Sequence, residues 1–245
     1  MPTSARRTGA KTAATIDERV RAVLEALKKS ATTRDYANLE RFGITAANAL
    51  GVSMANVQKI AKPLGRSHEL ALALWETGVY EARMLTAFVD DPAQVTAAQM
   101  DRWCRDFDNW GICDTLCFKL FDQTPHAWRM VATWAKRKNE HEKRAAFALL
   151  ASLAGHDKLA TNAQFLGGLD LVERAATDER NFVKKGVSWA LRRIGGRNAI
   201  LNAEASKLAR RLADSSDATA RWIGKDALRE FDRSAHKTRV SRASK

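Results

Sequence analysis

The sequence is poor in residues that interrupt helices and in residues that form disulfides. It has 4 prolines, 13 glycines and 3 cysteines among 245 residues. No run of alternating β-branched residues is long enough to predict a sheet. The odd number of cysteines, Cys104, Cys113 and Cys117, predicts reduced thiols in a cytoplasmic protein. No apolar stretch is long enough to span a membrane, so we expect no membrane partner.

Several catalytic signatures are also missing. The sequence has no glycine-rich phosphate loop, no nucleophile elbow and no helix–hairpin–helix. Its five histidines are scattered and indicate no catalytic triad. Cys113 and Cys117 are four residues apart, but no set of His and Cys with zinc spacing joins them. We therefore expect no metal and no cofactor.

The charge is strongly positive. Lys and Arg number 41 against 28 Asp and Glu, a formal net charge of +13. Seven of the cations lie in two acid-free ends, residues 1–14 and 234–245, so the body keeps a charge of +6. We predict a disordered basic N-terminal arm over 1–14, which also faintly resembles a transit peptide, and a disordered basic C-terminal tail over 234–245. A body that remains basic makes nucleic acid the first partner to consider, with a solvated basic surface as the alternative.

The residues between these ends predict an all-α domain over 15–233. Apolar residues recur at helical spacing from Ile16 onward, and glycine or proline separates many of the periodic segments. After a first helix near 16–27, the predicted helices are 33–42, 53–63, 67–77, 79–90, 96–106, 110–121, 126–137, 140–154, 159–176, 181–195, 199–213 and 218–231. Helices of this length with short connections favour a HEAT-like helical-repeat solenoid with a concave basic face, and a globular helical bundle is the alternative.

The helix predicted over 181–195 carries aromatic and basic residues off its apolar stripe. Trp189 falls roughly 145° from the centre of that stripe, and Lys185 and Arg192 point the same way. An exposed tryptophan between cations is typical of a nucleic-acid surface, although Trp189 could instead pack on a neighbouring helix. The helix over 218–231 repeats the pattern with Trp222, which could also be packing at a helix interface. The DNA-binding residues predicted from these two helices are Lys185, Arg192, Arg193, Trp222, Lys225 and Arg229.

The helix over 110–121 places an acid on this same kind of surface. Asp114 faces roughly 140° from its apolar stripe, and Trp110 is four residues earlier on the same side. A carboxylate that faces DNA repels phosphate, so its presence suggests a catalytic role. The alternative is a structural ion pair with Arg144 or another cation. Arg144 lies off the stripe of its own helix with Ala148 and Ala151, which would leave room for a DNA backbone to approach.

Three segments together resemble a known family. FDNWGICDTLC, HEKRAAFALLASL and FVKKGVSWALRRIG are similar, in order and spacing, to segments of the AlkD-like DNA alkylation-repair proteins. GITAANALGVSMANVQKIAK and HELALALWETGVYEARMLTAFV resemble the first repeats of that family. The resemblance covers about residues 33–231. It implies a HEAT-like solenoid that excises cationic N3- and N7-alkylpurines from duplex DNA. Because no lysine is needed as a nucleophile, we predict no strand cleavage.

The resemblance also implies site residues. The catalytic set would be Trp110, Asp114, Arg144 and Trp189, and a family tyrosine would fall near Tyr36 as a DNA contact, although the spacing after it differs. We expect a monomer that acts in the cytoplasm, associated with the nucleoid. Two other functions remain open: a non-catalytic DNA- or RNA-binding repeat protein, and a scaffold for an acidic protein partner.

Overall fold

The computed structural model describes residues 14–243, with side chains to residue 233. Within that range it contains helices and connecting loops but no strand. The predicted helices are confirmed with small differences at their ends, except that the last helix extends further than predicted. The helices are α1 (Ile16–Ser30), α2 (Thr33–Arg41), α3 (Met54–Ala61), α4 (His68–Glu76), α5 (Tyr80–Val89), α6 (Ala97–Arg105), α7 (Trp110–Lys119), α8 (Ala127–Trp134), α9 (Glu140–His156), α10 (Asn162–Ala175), α11 (Asn181–Gly195), α12 (Ala199–Ala213) and α13 (Ala218–Ala243). Two short 3₁₀ turns, Lys62–Leu64 and Phe121–Gln123, follow α3 and α7.

The helices stack in two layers. α3, α5, α7, α9, α11 and α13 form one row, in which each helix packs against the next. The even-numbered helices from α4 to α12 lie against this row and form the second layer. This layered stacking of helix pairs is the arrangement predicted for a helical-repeat solenoid. Each helix of the odd-numbered row therefore shows one narrow face to the outside of the layer.

Side-chain caps fix where the site helices begin. The Asn109 side chain accepts a hydrogen bond from the Ile112 amide, 3.0 Å away, and so starts α7 at Trp110. The Asn139 side chain accepts from the amides of His141 and Glu142 and starts α9. Glu140 in turn accepts from the Phe182 amide at 2.9 Å, which satisfies a free N–H at the start of α11.

The core contains a pair of stacked indoles. The rings of Trp75 on α4 and Trp103 on α6 lie 4.2 Å apart and nearly parallel, and both are fully buried. Trp75 donates its N–H to Asp106 at 2.8 Å, whereas the Trp103 N–H has no partner among the described residues. Two offset indoles in a dry core contribute both a large buried area and direct ring contact to stability.

α9 is the most buried helix of the array, and this corrects one expectation. Every residue from Arg144 to Ala154 is buried. Ala148 and Ala151 therefore leave no room for a DNA backbone, because α7, α8 and α11 pack around them. The apolar stripe in a sequence identifies only the most apolar side of a helix. α9 lies in the centre of the array, so neighbouring helices cover its other sides as well.

The ends differ from the prediction in one respect. The last helix runs from Ala218 to Ala243, past residue 233, where the sequence predicted a tail to begin. The predicted N-terminal arm lies outside the described residues, apart from residue 14. Among the helices of the described chain, none combines the length and the apolarity that crossing a membrane requires.

Candidate active site

One face of α7 presents three side chains in a line. Trp110, Asp114 and Phe118 are spaced by four residues, and each is half-buried, whereas Ile112 and Leu116 are buried on the other side. Side chains at this spacing are neighbours on a helix surface. The face therefore offers an indole, a carboxylate and a phenyl ring in sequence along about two turns.

A hydrogen bond holds Trp110 in place. Its indole N–H donates to the Phe42 carbonyl at the end of α2, 3.0 Å away. Next to it, Gly111 lets α5 come close, because a Cβ there would lie 2.7 Å from the Tyr80 hydroxyl. The bound N–H fixes the ring orientation, and the half-buried ring face remains available to a ligand.

Asp114 is paired with Arg144 on α9. Nε of Arg144 donates to Oδ1 at 2.9 Å and Nη2 donates to Oδ2 at 2.7 Å, a bidentate ion pair. A third donor, Nη1, binds the Phe182 carbonyl on α11 at 2.8 Å. The side chains are 8% exposed for Arg144 and 18% for Asp114. The ion pair that the sequence left open as an alternative is thus formed, and the carboxylate still reaches the surface.

Burial and neighbouring charges act on this pair in opposite directions. Burial raises the pKa of Asp114 above its usual range, while Arg144 and, less strongly, His141 favour the charged form. Burial disfavours the charged guanidinium, but the adjacent carboxylate outweighs it and raises the pKa of Arg144. The carboxyl group of Asp114 is therefore held in one orientation by Arg144 and is poorly solvated by water.

Trp189 reaches the same face from α11. Its ring stacks on Phe118, with centroids 4.7 Å apart and planes nearly parallel, and it is half-buried. Phe118 follows Asp114 by one turn of α7, about 6 Å along the axis. The carboxylate and both predicted indoles therefore belong to one surface, although Trp189 joins it through Phe118. Trp189 therefore packs on the neighbouring helix α7 and is also partly exposed to solvent.

The other predicted DNA contacts lie further along the odd-numbered row. Lys185, Arg193, Lys225 and Arg229 are exposed, and Trp222 is 37% exposed. Their charge is partly balanced by Asp226, an acid that the sequence interpretation missed. Its carboxylate lies 3.4 Å from Nε of Arg192 and 3.5 Å from Nη2 of Arg229. Lys184, also missed, places its Nζ 5.1 Å from the centre of the Trp222 ring.

Tyr36 lies on α2 and is 54% exposed. It lines a surface cleft with Asp108, two residues before Trp110. Its backbone is close to Gly51, where a Cβ would lie 2.7 Å from the Tyr36 Cβ. The structure thus places Tyr36 on the side of the site where α2 meets the start of α7.

A basic cavity of about 380 Å³ adjoins Trp189. Its charged lining residues are Lys158, Arg192, Arg193, Arg197 and Glu230. Two of these cations bind carbonyls at or beyond the end of α9: Lys158 that of Gly155, Arg197 those of Ala154 and Ala160. The cavity therefore carries a surplus of positive charge beside the Phe118–Trp189 pair. Two of its cations, Lys158 and Arg197, also cap the C-terminal end of α9.

The sequence interpretation overlooked Phe118 and Phe182. Phe118 continues the four-residue spacing of Trp110 and Asp114, and that spacing could have identified it. Phe182 acts through its carbonyl and through its ring, which lies 5.9 Å from Cζ of Arg144. No pattern in one helix predicts a backbone contact of this kind.

The chain is similar to known proteins in family and in fold. The profile of a family described as DNA alkylation repair enzyme matches residues 23–231. No curated protein matches the chain. A solved structure from a new family of proteins related to the HEAT-like repeat DNA glycosylases, with affinity for branched DNA structures, has a TM-score of 0.74 at 19% identity. The match covers 88% of this chain and 94% of that one, and it shows the fold.

A designed armadillo repeat protein is similar at a lower level. It has 14% identity and a TM-score of 0.35, over 72% of this chain and 92% of its own, which is too low to support an argument. The family match spans most of the chain, including every residue of the α7, α9 and α11 site. This chain therefore belongs to the DNA alkylation repair enzyme family.

Proposed function

We propose that this protein is a monofunctional DNA glycosylase that hydrolyses the N-glycosidic bond of cationic N3- and N7-alkylpurines in duplex DNA. One observation carries the proposal. A carboxylate, Asp114, is held by a bidentate arginine on a surface between accessible aromatic rings, Trp110 on one side and the Phe118–Trp189 pair on the other. An acid in this position weakens DNA binding, so we assign it to chemistry.

The chemistry of the lesion suits these groups. Alkylation at N3 or N7 puts a positive charge on the purine, and its departure leaves an oxocarbenium-like sugar. A fixed anion stabilises that cation, because its orientation is set before the reaction begins. The aromatic rings present negative electron density to the cationic base and sugar. The departing purine is neutral, so no general acid is required.

Arg144 is poorly placed to hold a flanking phosphate. Its guanidinium binds Asp114 and Phe182 and is almost fully buried. We assign it to positioning Asp114. Phosphate contacts then fall to the exposed cations of the same row, Lys185, Arg193 and Lys225.

The test is release of 7-methylguanine from methylated duplex DNA. The wild-type protein should release the free base and leave the strand intact, because the mechanism uses water and no lysine nucleophile. Asp114→Asn should abolish release and retain binding. Asp101→Asn is a matched control, because Asp101 is also paired with an arginine, Arg137 at 2.8 Å, and is 19% exposed on α6. Normal excision by Asp114→Asn would overturn the role of Asp114.

A second candidate function is structure-specific DNA binding without excision. It is favoured by the pairing of both Asp114 oxygens with Arg144, which a purely structural ion pair would share. The similar protein with affinity for branched DNA structures gives the substrate to try. This alternative predicts no base release from any alkylated duplex and tighter binding to a junction than to linear DNA at the same salt concentration.

A further inference from the structure

A second acid lies among the cations of the proposed DNA surface. Asp226 on α13 places its carboxylate 3.4 Å from Nε of Arg192 on α11 and 3.5 Å from Nη2 of Arg229, three residues later on its own helix. A carboxylate in such a position repels the phosphates of any DNA that approaches. The chemistry proposed for Asp114 does not extend to Asp226, which lies outside the site formed by α7, α9 and α11. Its presence on this surface needs a different explanation.

A serine, not these arginines, fixes the position of Asp226. The Ser188 hydroxyl on α11 donates to Oδ2 of Asp226 at 2.7 Å. Ser188 is fully buried, whereas the Asp226 side chain is 23% exposed. A buried serine in a helix can donate to the carbonyl four residues earlier, so the fold does not require a carboxylate here. The carboxylate is therefore anchored from one side and stays partly exposed beside the two arginines.

The ion pairs of Asp226 are looser than those of another acid between two cations. Asp178, in the loop before α11, lies 2.8 Å from Lys143 and 2.6 Å from Arg180. Those are hydrogen-bond distances, and such contacts hold a loop in place. Both ion pairs of Asp226 are longer than the usual limit of an N–H···O hydrogen bond, which is about 3.2 Å. Asp226 therefore attracts its two arginines by charge without binding them tightly.

The two arginines are also free to turn away from Asp226. Their side chains are 32% exposed for Arg192 and 61% for Arg229, whereas that of Arg144 is 8% exposed. Arg192 lines the basic cavity beside Trp189, and its Nη1 and Nη2 have no hydrogen-bond partner among the described residues. Arg144 uses three donors and cannot leave Asp114, but Arg192 and Arg229 can exchange a carboxylate for a phosphate.

We propose that Asp226 competes with DNA phosphates for Arg192 and Arg229 and so limits the affinity for undamaged duplex DNA, an inference that rests on the DNA-binding surface of the proposed function. Ser188 keeps the carboxylate in place when DNA binds, and the arginines are the groups that move. Each phosphate that they bind is held against the attraction of Asp226 for the arginine and against its repulsion of the phosphate.

Such a competitor matters because undamaged duplex is in large excess over lesions. Non-specific binding to duplex DNA depends almost entirely on phosphate contacts, so it bears the full effect of Asp226. A lesion provides further contacts at Asp114 and at the aromatic rings, and Asp226 does not act on those. The acid therefore shortens the time that the protein stays on undamaged DNA and leaves the chemistry to Asp114.

The experiment measures affinity for an unmodified duplex by fluorescence anisotropy over a range of salt concentrations. Asp226→Asn removes the charge and keeps an oxygen that accepts from Ser188. We expect it to bind about 10-fold more tightly than the wild type at about 0.1 M salt, with a slope of log affinity against log salt steeper by about one to two, because each freed arginine gains a phosphate. Asp226→Glu keeps the charge and should bind like the wild type. Equal tightening by Asp226→Glu would overturn the proposal.

A matched control separates competition from net charge. Glu173→Gln removes an acid from α10 in the other layer, where Glu173 pairs with Arg211 on α12 at 2.9 Å. It changes the net charge by the same amount and should leave the salt slope unchanged. Tightening equal to that of Asp226→Asn would assign the effect to net charge and overturn the proposal.

A double-mutant cycle tests the competition directly. Arg192→Gln should weaken duplex binding more in the Asp226→Asn background than in the wild type, because Arg192 is then fully available to phosphate. Equal effects in the two backgrounds would overturn the proposal, and so would an Asp226→Asn variant that binds no more tightly than the wild type. These measurements use unmodified DNA and report binding alone. Failure of the glycosylase function would appear separately, as a wild-type protein that releases no base.

Discussion

The molecule contains two aromatic stacks of similar geometry and different surroundings. Trp75 and Trp103 stack at 4.2 Å in the core between α4 and α6, and both are fully buried. Phe118 and Trp189 stack at 4.7 Å between α7 and α11, and both remain half-exposed. The first stack is covered by both layers of helices, whereas the second lies on the outer face of the odd-numbered row.

The difference in exposure between the two stacks indicates which of them stabilises the fold and which is available for function. A buried stack contributes by removing apolar area from water, and no ligand can reach it. A surface stack buries less area but presents a rigid ring face to whatever binds there. The carboxylate next to the buried stack, Asp106, accepts the Trp75 N–H, whereas the surface stack has Asp114 one helical turn away and a histidine at its edge. The same stacked arrangement therefore serves the fold in one place and remains open to a ligand in the other.

The strongest test of the comparison is Trp103→Ala. We expect the free energy of unfolding to fall by about 3–5 kcal/mol, because the substitution empties a large site in a packed core. Urea unfolding followed by circular dichroism measures this. The folded fraction should excise alkylated bases at the wild-type rate per molecule. Trp103→Phe should cost much less, and a large loss of excision in a folded Trp103→Phe would show that the two stacks are not independent.

Trp189→Ala should lower the rate of excision more than it lowers the stability of the fold, and its free-energy effect should be smaller than that of Trp103→Ala. We expect excision to fall by roughly 30-fold, which corresponds to about 2 kcal/mol for a ring that faces a cation in a desolvated site. The loss of stability should be well below that of Trp103→Ala, since the ring is already half in water. Single-turnover kinetics and urea unfolding on one preparation separate the two effects. Trp189→Phe should keep most of the activity, and a stability loss equal to that of Trp103→Ala would contradict the distinction.

The smallest effect should come from the cations at the edge of the surface region. Lys225→Gln should weaken duplex binding slightly and lower the slope of log affinity against log salt by about one, because one phosphate contact is lost. Fluorescence anisotropy over a range of salt concentrations measures the slope. Lys207→Gln is the control, since Lys207 is exposed on α12 in the other layer and is paired with Glu204. An unchanged slope for Lys225→Gln would remove α13 from the interface.

The sequence predicted the helices, and the residues on their exposed sides, more accurately than it predicted the contacts between helices. Apolar periodicity with glycine and proline breaks placed the helix ends within a few residues, except for the end of α13, because both signals are local. It also placed Asp114 and Trp189 off the buried stripes of α7 and α11 correctly. It failed for Ala148 and Ala151, since α9 is covered on several sides and its apolar stripe marks only one of them.

What the sequence determined by itself is the local structure: where each helix begins and ends, which side of it is most apolar, and which helices carry an indole or a cation off that side. Those properties depend on neighbours within about four residues along the chain. Only the tertiary structure decided that Arg144 binds Asp114, that Phe118 joins Trp189, and that Ser188 binds Asp226. Each of these contacts joins residues about 30 or more positions apart, and their separation and orientation are set by how the helices pack, which no single helix encodes.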